Sequence, residues 1–360
     1  MAQIDRLFRL LLKADGSDLH LLEGQPPRMR VHGGLAPVAG EAVLEKNILG
    51  SMLQEICAPE DWSVYLENHD LDFAYEMQGE ARFRANYFKQ QHGLAAVFRV
   101  IPFRVLSLNE LGAPDVIKAW AKERSGLYLV TGPTGSGKST TLAALINEIN
   151  MTENRYIVTL EEPIEFVHER QQSFFCQREI GRDTPAFADG LKDAGRMDCD
   201  VILVGEMRDY ETIGLALSAA TMGKLVLGTL HTNSAIKTID RIIDVFPADE
   251  QWKARNMLAD TLGGVCAQVL LRRSHGGGRV AAHEIMVRTQ GLATSIRDGN
   301  ISQLRNMIQS GRAQGMQLLD DAIAALLDEG IIDPEEAYLK AQDKARFALA
   351  ADAAPEAGDL

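Results

Sequence analysis

Eight consecutive residues, Gly132, Pro133, Thr134, Gly135, Ser136, Gly137, Lys138 and Ser139, have the spacing of a phosphate-holding P-loop. Glycines let the backbone curl until successive N–H groups face one point. A helix beginning there adds its positive end, and Lys138 adds a full charge. The chemistry is polyphosphate binding, with Lys138 on the β and γ phosphates of ATP and the Ser139 hydroxyl turned toward Mg²⁺. An apolar run over 127–130 precedes the loop, and Thr140 opens a stretch of helical character over 140–149, so the letters stand in the strand–loop–helix context the motif needs.

Hydrolysis needs more than a cradle: a group must orient or deprotonate water, and charges must stabilise the transition state. Three further clusters supply candidates. Glu161, Glu162 and Glu165 follow an apolar run over 156–160; Glu206, Arg208 and Asp209 follow another over 201–204; His231, Thr232 and Asn233 follow a third over 225–230. A carboxylate from the first acts on water, Glu206 stands near the metal, and the His231 imidazole senses the γ phosphate. Taken singly, each is explained as well by a solvated strand end or a structural histidine. Parallel strands deliver their C-terminal ends to one sheet edge, where ligand sites collect, and the P-loop at the head of the series tips the reading to function.

The elements that must carry these residues follow from the rest of the chain. At 360 residues it is long enough for two cores, and 46% hydrophobic with 24% charged residues is the composition of a globular protein. Residues 1–102 alternate short amphipathic helices with strands over 19–22, 71–75 and 95–100, a small α/β domain. Pro102, Gly112 and Pro114 place a hinge over 103–113. Residues 114–347 form an α/β domain with a parallel sheet, mostly helical after Asp249 apart from a hairpin turning at Gly276, Gly277 and Gly278; residues 348–360 read as an acidic, disordered tail. A formal charge of -13 repels a phosphate backbone and argues against nucleic-acid partners. Cys57, Cys176, Cys199 and Cys266 make no CxxC pair and read as reduced thiols. The first twelve residues suit an amphipathic helix rather than a signal peptide, and no apolar run reaches the length of a membrane span, so a cytoplasmic protein without membrane insertion is expected.

With the P-loop, acidic box, second acidic strand end and histidine box in this order, the chain resembles the secretion and pilus ATPases, and within them the pilus retraction motors. The similarity runs over nearly the whole length, including Asp18-Leu19-His20 and Pro26-Pro27 near the start, and the large N-terminal region and four-cysteine zinc motif usual in assembly and type II secretion ATPases are not seen. The resemblance implies a PAS-like N-terminal α/β domain and a RecA-like P-loop ATPase domain with a helical C-terminal part. It implies Glu165 as the catalytic carboxylate, Glu206 as the Walker B acid and His231 as the box histidine. It also implies N-domain arginines reaching phosphates, with Arg84 and Arg99 ahead of Arg82 and Arg104. The partners it implies are five further copies in a homo-hexamer, an inner-membrane platform protein of the pilus and related pilus ATPases. Residues 195–201, Gly-Arg-Met-Asp-Cys-Asp-Val, keep Arg196 but depart from the family's pattern before the Walker B strand, and Ala293-Thr294-Ser295-Ile296-Arg297 matches the retraction signature poorly. A related secretion motor and a nucleotide-gated accessory paralogue with weak turnover therefore stand as alternatives.

Overall fold

The computed structural model describes residues 2–31, 33–77, 79–101 and 104–352. The chain divides into two compact units: Met1–Arg104 with Pro163–Val167, and Val105–Glu162 with His168–Leu360.

In the first unit, strands β1 (Gly16–Leu22), β2 (Arg28–Val31), β3 (Gly34–Pro37), β4 (Asp70–Met77), β5 (Ala81–Gln90) and β6 (Gly93–Ile101) form an antiparallel sheet in the order β3-β2-β1-β6-β5-β4. Strict alternation separates its faces. Phe83, Ala85 and Tyr87 on β5, Ala96 and Phe98 on β6 and Leu19 and Leu21 on β1 are buried together. The helix Asp5–Lys13 lays Leu7, Phe8 and Leu11 on that face, and the Phe8 ring stacks 4.0 Å from Phe83. The opposite face carries the charge: in register across four strands run Arg30, Asp18, Arg99 and Arg84.

The second unit holds β7 (Gly126–Thr131), β8 (Tyr156–Glu161), β9 (Phe174–Glu179), β10 (Val201–Val204), β11 (Leu225–Leu230), β12 (Leu262–Arg272) and β13 (Arg279–Val287), ordered β13-β12-β7-β11-β10-β8-β9. All pair in parallel except β13, which runs antiparallel to β12. Continuous apolar strands are what a sheet covered on both faces requires. Leu127 and Leu129 enter one core with Val158, Ile202 and Val226, while Tyr128 and Val130 enter the other with Ile157, Leu203 and Leu227. The helix Lys138–Thr152 covers the second of these through Leu142, Leu145, Ile146 and Ile149. This is the two-domain α/β architecture expected, with a parallel nucleotide-type sheet in the larger unit.

Three boundaries differ from the sequence reading. The stretch after Asp249 is less helical than expected, because β12 and β13 are long strands that extend the main sheet rather than a small excursion about Gly276, Gly277 and Gly278. Within residues 103–113, read as a hinge, Leu108 and Ala113 enter the core beneath β7, and Pro102 and Phe103 lie outside the described residues. The last helix runs Ala345–Asp352, into the segment read as a tail, and residues 353–360 lie outside the description. Among the described residues no helix is long and apolar enough to cross a membrane.

The larger unit buries two neutral histidines. His168 stacks on Phe175 with ring centroids 4.9 Å apart, and burial pushes its pKa from 6.5 down to about 4; His283 on β13 is pushed down to about 4 for the same reason. In the unfolded chain each takes a proton near pH 6.5, but in the folded one only near pH 4, so unfolding takes up protons between those values. Their stabilisation is complete above pH 6.5 and is lost as pH falls through that window, by about 3 kcal/mol for each at most. Urea unfolding of wild type at pH 7 and pH 5 should show the fall, and His283→Phe should flatten it; an unchanged pH slope in the variant would contradict the assignment.

Candidate nucleotide site

The C-terminal ends of β7, β8, β10 and β11 leave the sheet at one edge, and there the structure brings together four of the sequence's clusters. The P-loop leaves β7 with Gly132 N–H donating to Leu230 O at 3.3 Å, so the loop's first peptide is fixed to β11. Gly132 has φ +149°, and a Cβ there would lie 2.3 Å from Gln268 O and 2.5 Å from Ser136 Oγ, space that only glycine leaves. Gly135 and Gly137 at φ +79° and +86° complete the curl, and the helix Lys138–Thr152 begins directly after them. Pro133 and Thr134 form the exposed outer turn, and Ser139 and Thr140 occupy the first helical turn. Lys138 Nζ donates to the carbonyl oxygens of Gly132 at 2.9 Å and Pro133 at 3.2 Å, which keeps its charge over the loop.

On β10, Gly205 N–H donates to Leu160 O at 2.8 Å and Thr229 Oγ1 donates to Gly205 O, pinning the strand end between β8 and β11. Glu206 follows with its side chain 18% exposed. Arg208 pairs with both its oxygens, Nη2 reaching Oε2 at 2.5 Å, and lies 3.8 Å from Glu162 Oε2. His231 Nε2 is 2.9 Å from Glu206 Oε1, the distance at which an imidazole N–H donates to a carboxylate. Burial opposes charge on Glu206, but the Arg208 guanidinium and His231 outweigh it and hold the carboxyl below the ordinary glutamate value. Asp209 then caps the helix Tyr210–Thr221 by accepting from Thr212 N–H at 2.9 Å, which ends the loop.

The loop N–H groups, Lys138 and the helix N-terminus fit a polyphosphate. The Ser139 hydroxyl and the Glu206 carboxylate are hard oxygen donors of the kind that share Mg²⁺ with phosphate oxygens. Among the described residues no cluster of three or more acidic, histidine or cysteine side chains is placed to hold a metal ion.

The family profile described as Type II/IV secretion system protein matches residues 4–347. The chain belongs to that family. It is 46% identical over 344 residues to the type IV pilus retraction ATPase PilT of Pseudomonas aeruginosa, covering 96% of this chain and 99% of that one. The type IV pilus ATPase PilU of the same organism is 36% identical, over 94% of this chain and 88% of its own. Among solved structures, that of the pilus retraction motor PilT with bound ADP superposes with a TM-score of 0.88 at 37% identity, over 96% of this chain and 98% of the other.

Not every expected site residue of this secretion-family chain lies on that edge. Glu165 is half-buried in the irregular segment Pro163–Val167, which groups with the first unit. Arg99 and Arg84 stand on the charged face of the first unit's sheet, where Arg99 Nε donates to Asp18 Oδ1 at 2.9 Å and Arg84 lies 3.7 Å from Asp72. Burial would raise the Asp18 carboxyl, but the Ser17 hydroxyl and Arg99 outweigh it and leave it below its usual value. Arg208 went unassigned in the sequence reading; the Glu206–Arg208 spacing hints at it, but its bridge to Glu162 needs β8 and β10 side by side. Glu284 on β13, buried, accepts from Ala235 N–H at 2.7 Å and so fixes the start of the helix that follows the histidine box. No sequence signal marks it.

Proposed function

We propose that the chain is an ATP-hydrolysing motor that retracts type IV pili, working as a homo-hexamer on the cytoplasmic face of the inner membrane through a platform protein. The observation that carries the reading is the likeness, over practically the full length of both chains, to a retraction ATPase, on a chain whose P-loop, Glu206 and His231 share one sheet edge.

ATP enters with its phosphates on the loop N–H groups, and Lys138 exchanges its loop carbonyl partners for β and γ phosphate oxygens. Ser139 and Glu206 would hold Mg²⁺, which when bound neutralises charge on the β and γ phosphates. Glu165 orients the attacking water. The water oxygen bonds to the γ phosphorus as the bond to the β–γ bridging oxygen breaks, giving ADP and phosphate. His231, tied to Glu206, reports whether the γ phosphate is present. Contacts that exist with ATP and vanish with ADP shift the balance between conformations, and in a ring that shift is mechanical work.

Deleting the gene tests the reading against its neighbours. Retraction predicts cells that keep surface pili and lose twitching motility. Cells without pili would instead indicate an assembly motor, and intact pili with a lost secreted protein would indicate a secretion motor.

A further inference from the structure

The strand beside β7 sends one polar side chain into the P-loop. Gln268 on β12 is 3% exposed, and its register neighbour Ala267 pairs with Thr131, the last residue of β7. Its amide is used at both ends: Oε1 accepts from Thr141 Oγ1 at 2.9 Å, and Nε2 donates to Ser136 O at 2.7 Å. Ser136 belongs to the curl of the loop and Thr141 to the helix that begins at Lys138, so one amide spans both halves of the phosphate cradle. The loop is also fitted around this residue sterically. A Cβ at Gly137 would lie 2.8 Å from Gln268 Nε2, and one at Gly132 would lie 2.3 Å from Gln268 O.

A loop that binds through backbone N–H groups works only if those groups already point at the ligand, since reorienting them on binding costs affinity. Glycines give this loop its curl, but they also leave it free to flex. We infer that Gln268 is a positioning residue for nucleotide binding, holding the Ser136 peptide and the helix start in the orientation the phosphates need. It touches no reacting atom. The strand that carries it is anchored independently, because Arg272 near its end pairs with buried Glu336 at 3.0 Å. The P-loop is therefore set from β12 as well as from β7.

The inference rests on the P-loop being the nucleotide site, and the test keeps the two apart. Equilibrium binding of ADP and ATP and steady-state kinetics are measured for wild type, Gln268→Leu, Gln268→Glu, Thr141→Val and Thr141→Ser, with hydrogen exchange followed in the peptide spanning residues 132–141. Gln268→Leu should raise the dissociation constant and KM at least about tenfold while kcat falls less, as expected for two lost buried hydrogen bonds. Gln268→Glu keeps the size and the bond to Thr141 but turns an acceptor toward Ser136 O, so it should weaken binding at least as much. Thr141→Val should weaken it several-fold, and Thr141→Ser, which restores the hydroxyl, should recover it. Exchange should rise in the loop while β8 and β10 stay protected. Binding within about twofold of wild type in all folded variants, or exchange rising equally through the sheet, would overturn the inference. Should both Gln268 variants fail to fold, the Thr141 pair decides alone. A wild-type protein that binds neither nucleotide would sink the nucleotide-site reading instead.

Discussion

Lys138→Ala is expected to weaken nucleotide binding and suppress turnover together while leaving the fold intact. Without nucleotide, Lys138 donates to the carbonyls of Gly132 and Pro133 at a partly exposed position, where losing such bonds costs little because water replaces them. Facing a polyphosphate, the same ammonium makes charge-assisted bonds of roughly twice the ordinary strength and neutralises charge that builds up in the transition state. The affinity for ATP should fall by about tenfold to a hundredfold, and kcat by at least about 10²-fold. Thermal unfolding separates the two effects. The variant should melt within a few degrees of wild type without ligand and should show a clearly smaller rise in Tm than the wild type at the same ADP concentration. A variant that still shows the full ADP shift would remove Lys138 from the site.

Glu206→Gln should do something different: bind ATP and stop there. The substitution keeps the shape and removes the charge that Arg208 and His231 surround. ATP affinity should remain within a few-fold of wild type, and kcat should fall by at least about 10²-fold, the usual scale for removing a group that acts in the transition state. Because Arg208 and His231 hold the Glu206 carboxyl below its ordinary pKa, it is already ionised through the neutral range. Wild-type kcat should therefore show no loss from protonation of this group between about pH 8 and pH 6. Turnover that survives in Glu206→Gln would remove Glu206 from the catalytic machinery.

What could be read in advance divides along physical lines. Strands β7, β8, β10 and β11 were legible because a parallel sheet covered on both faces demands short unbroken apolar runs, and each run gives way to a strand-breaking glycine or a polar residue: Gly132, Glu161, Gly205 and His231. The hairpin turn at Gly276, Gly277 and Gly278 was legible too, but the length of its two strands, β12 and β13, and their place in the main sheet were not. Residues 262–272 are apolar enough for strand or buried helix, and the helix Gln251–Thr261 passes into β12 with no proline or polar turn between. The reason for Gly263 and Gly264 shows only in three dimensions, where a Cβ on either would strike the rings of Tyr128 or Trp120. Strand β9 escaped notice because its mixed residues, Phe174 to Glu179, suit an edge strand whose pairing is settled by β8 and not by its own pattern.

Site residues followed the same division. Lys138, Ser139, Glu206 and His231 sit in local patterns whose spacing is itself the chemistry. Gln268, Arg208 and Glu284 act across strands, and a single residue of ordinary type carries no local mark of a partner far away in sequence. The grouping of Pro163–Val167 with the first unit is likewise a property of the folded chain.

The most direct measurement on an assembled motor is ATP turnover per subunit as a function of protein concentration, with mass followed by light scattering in the same samples. Turnover per subunit should rise with concentration in step with a six-subunit species, and Glu206→Gln should stay flat while forming the same species. A fully active monomer whose rate per subunit is independent of concentration, or a ring that binds ATP and does not hydrolyse it, would contradict the account.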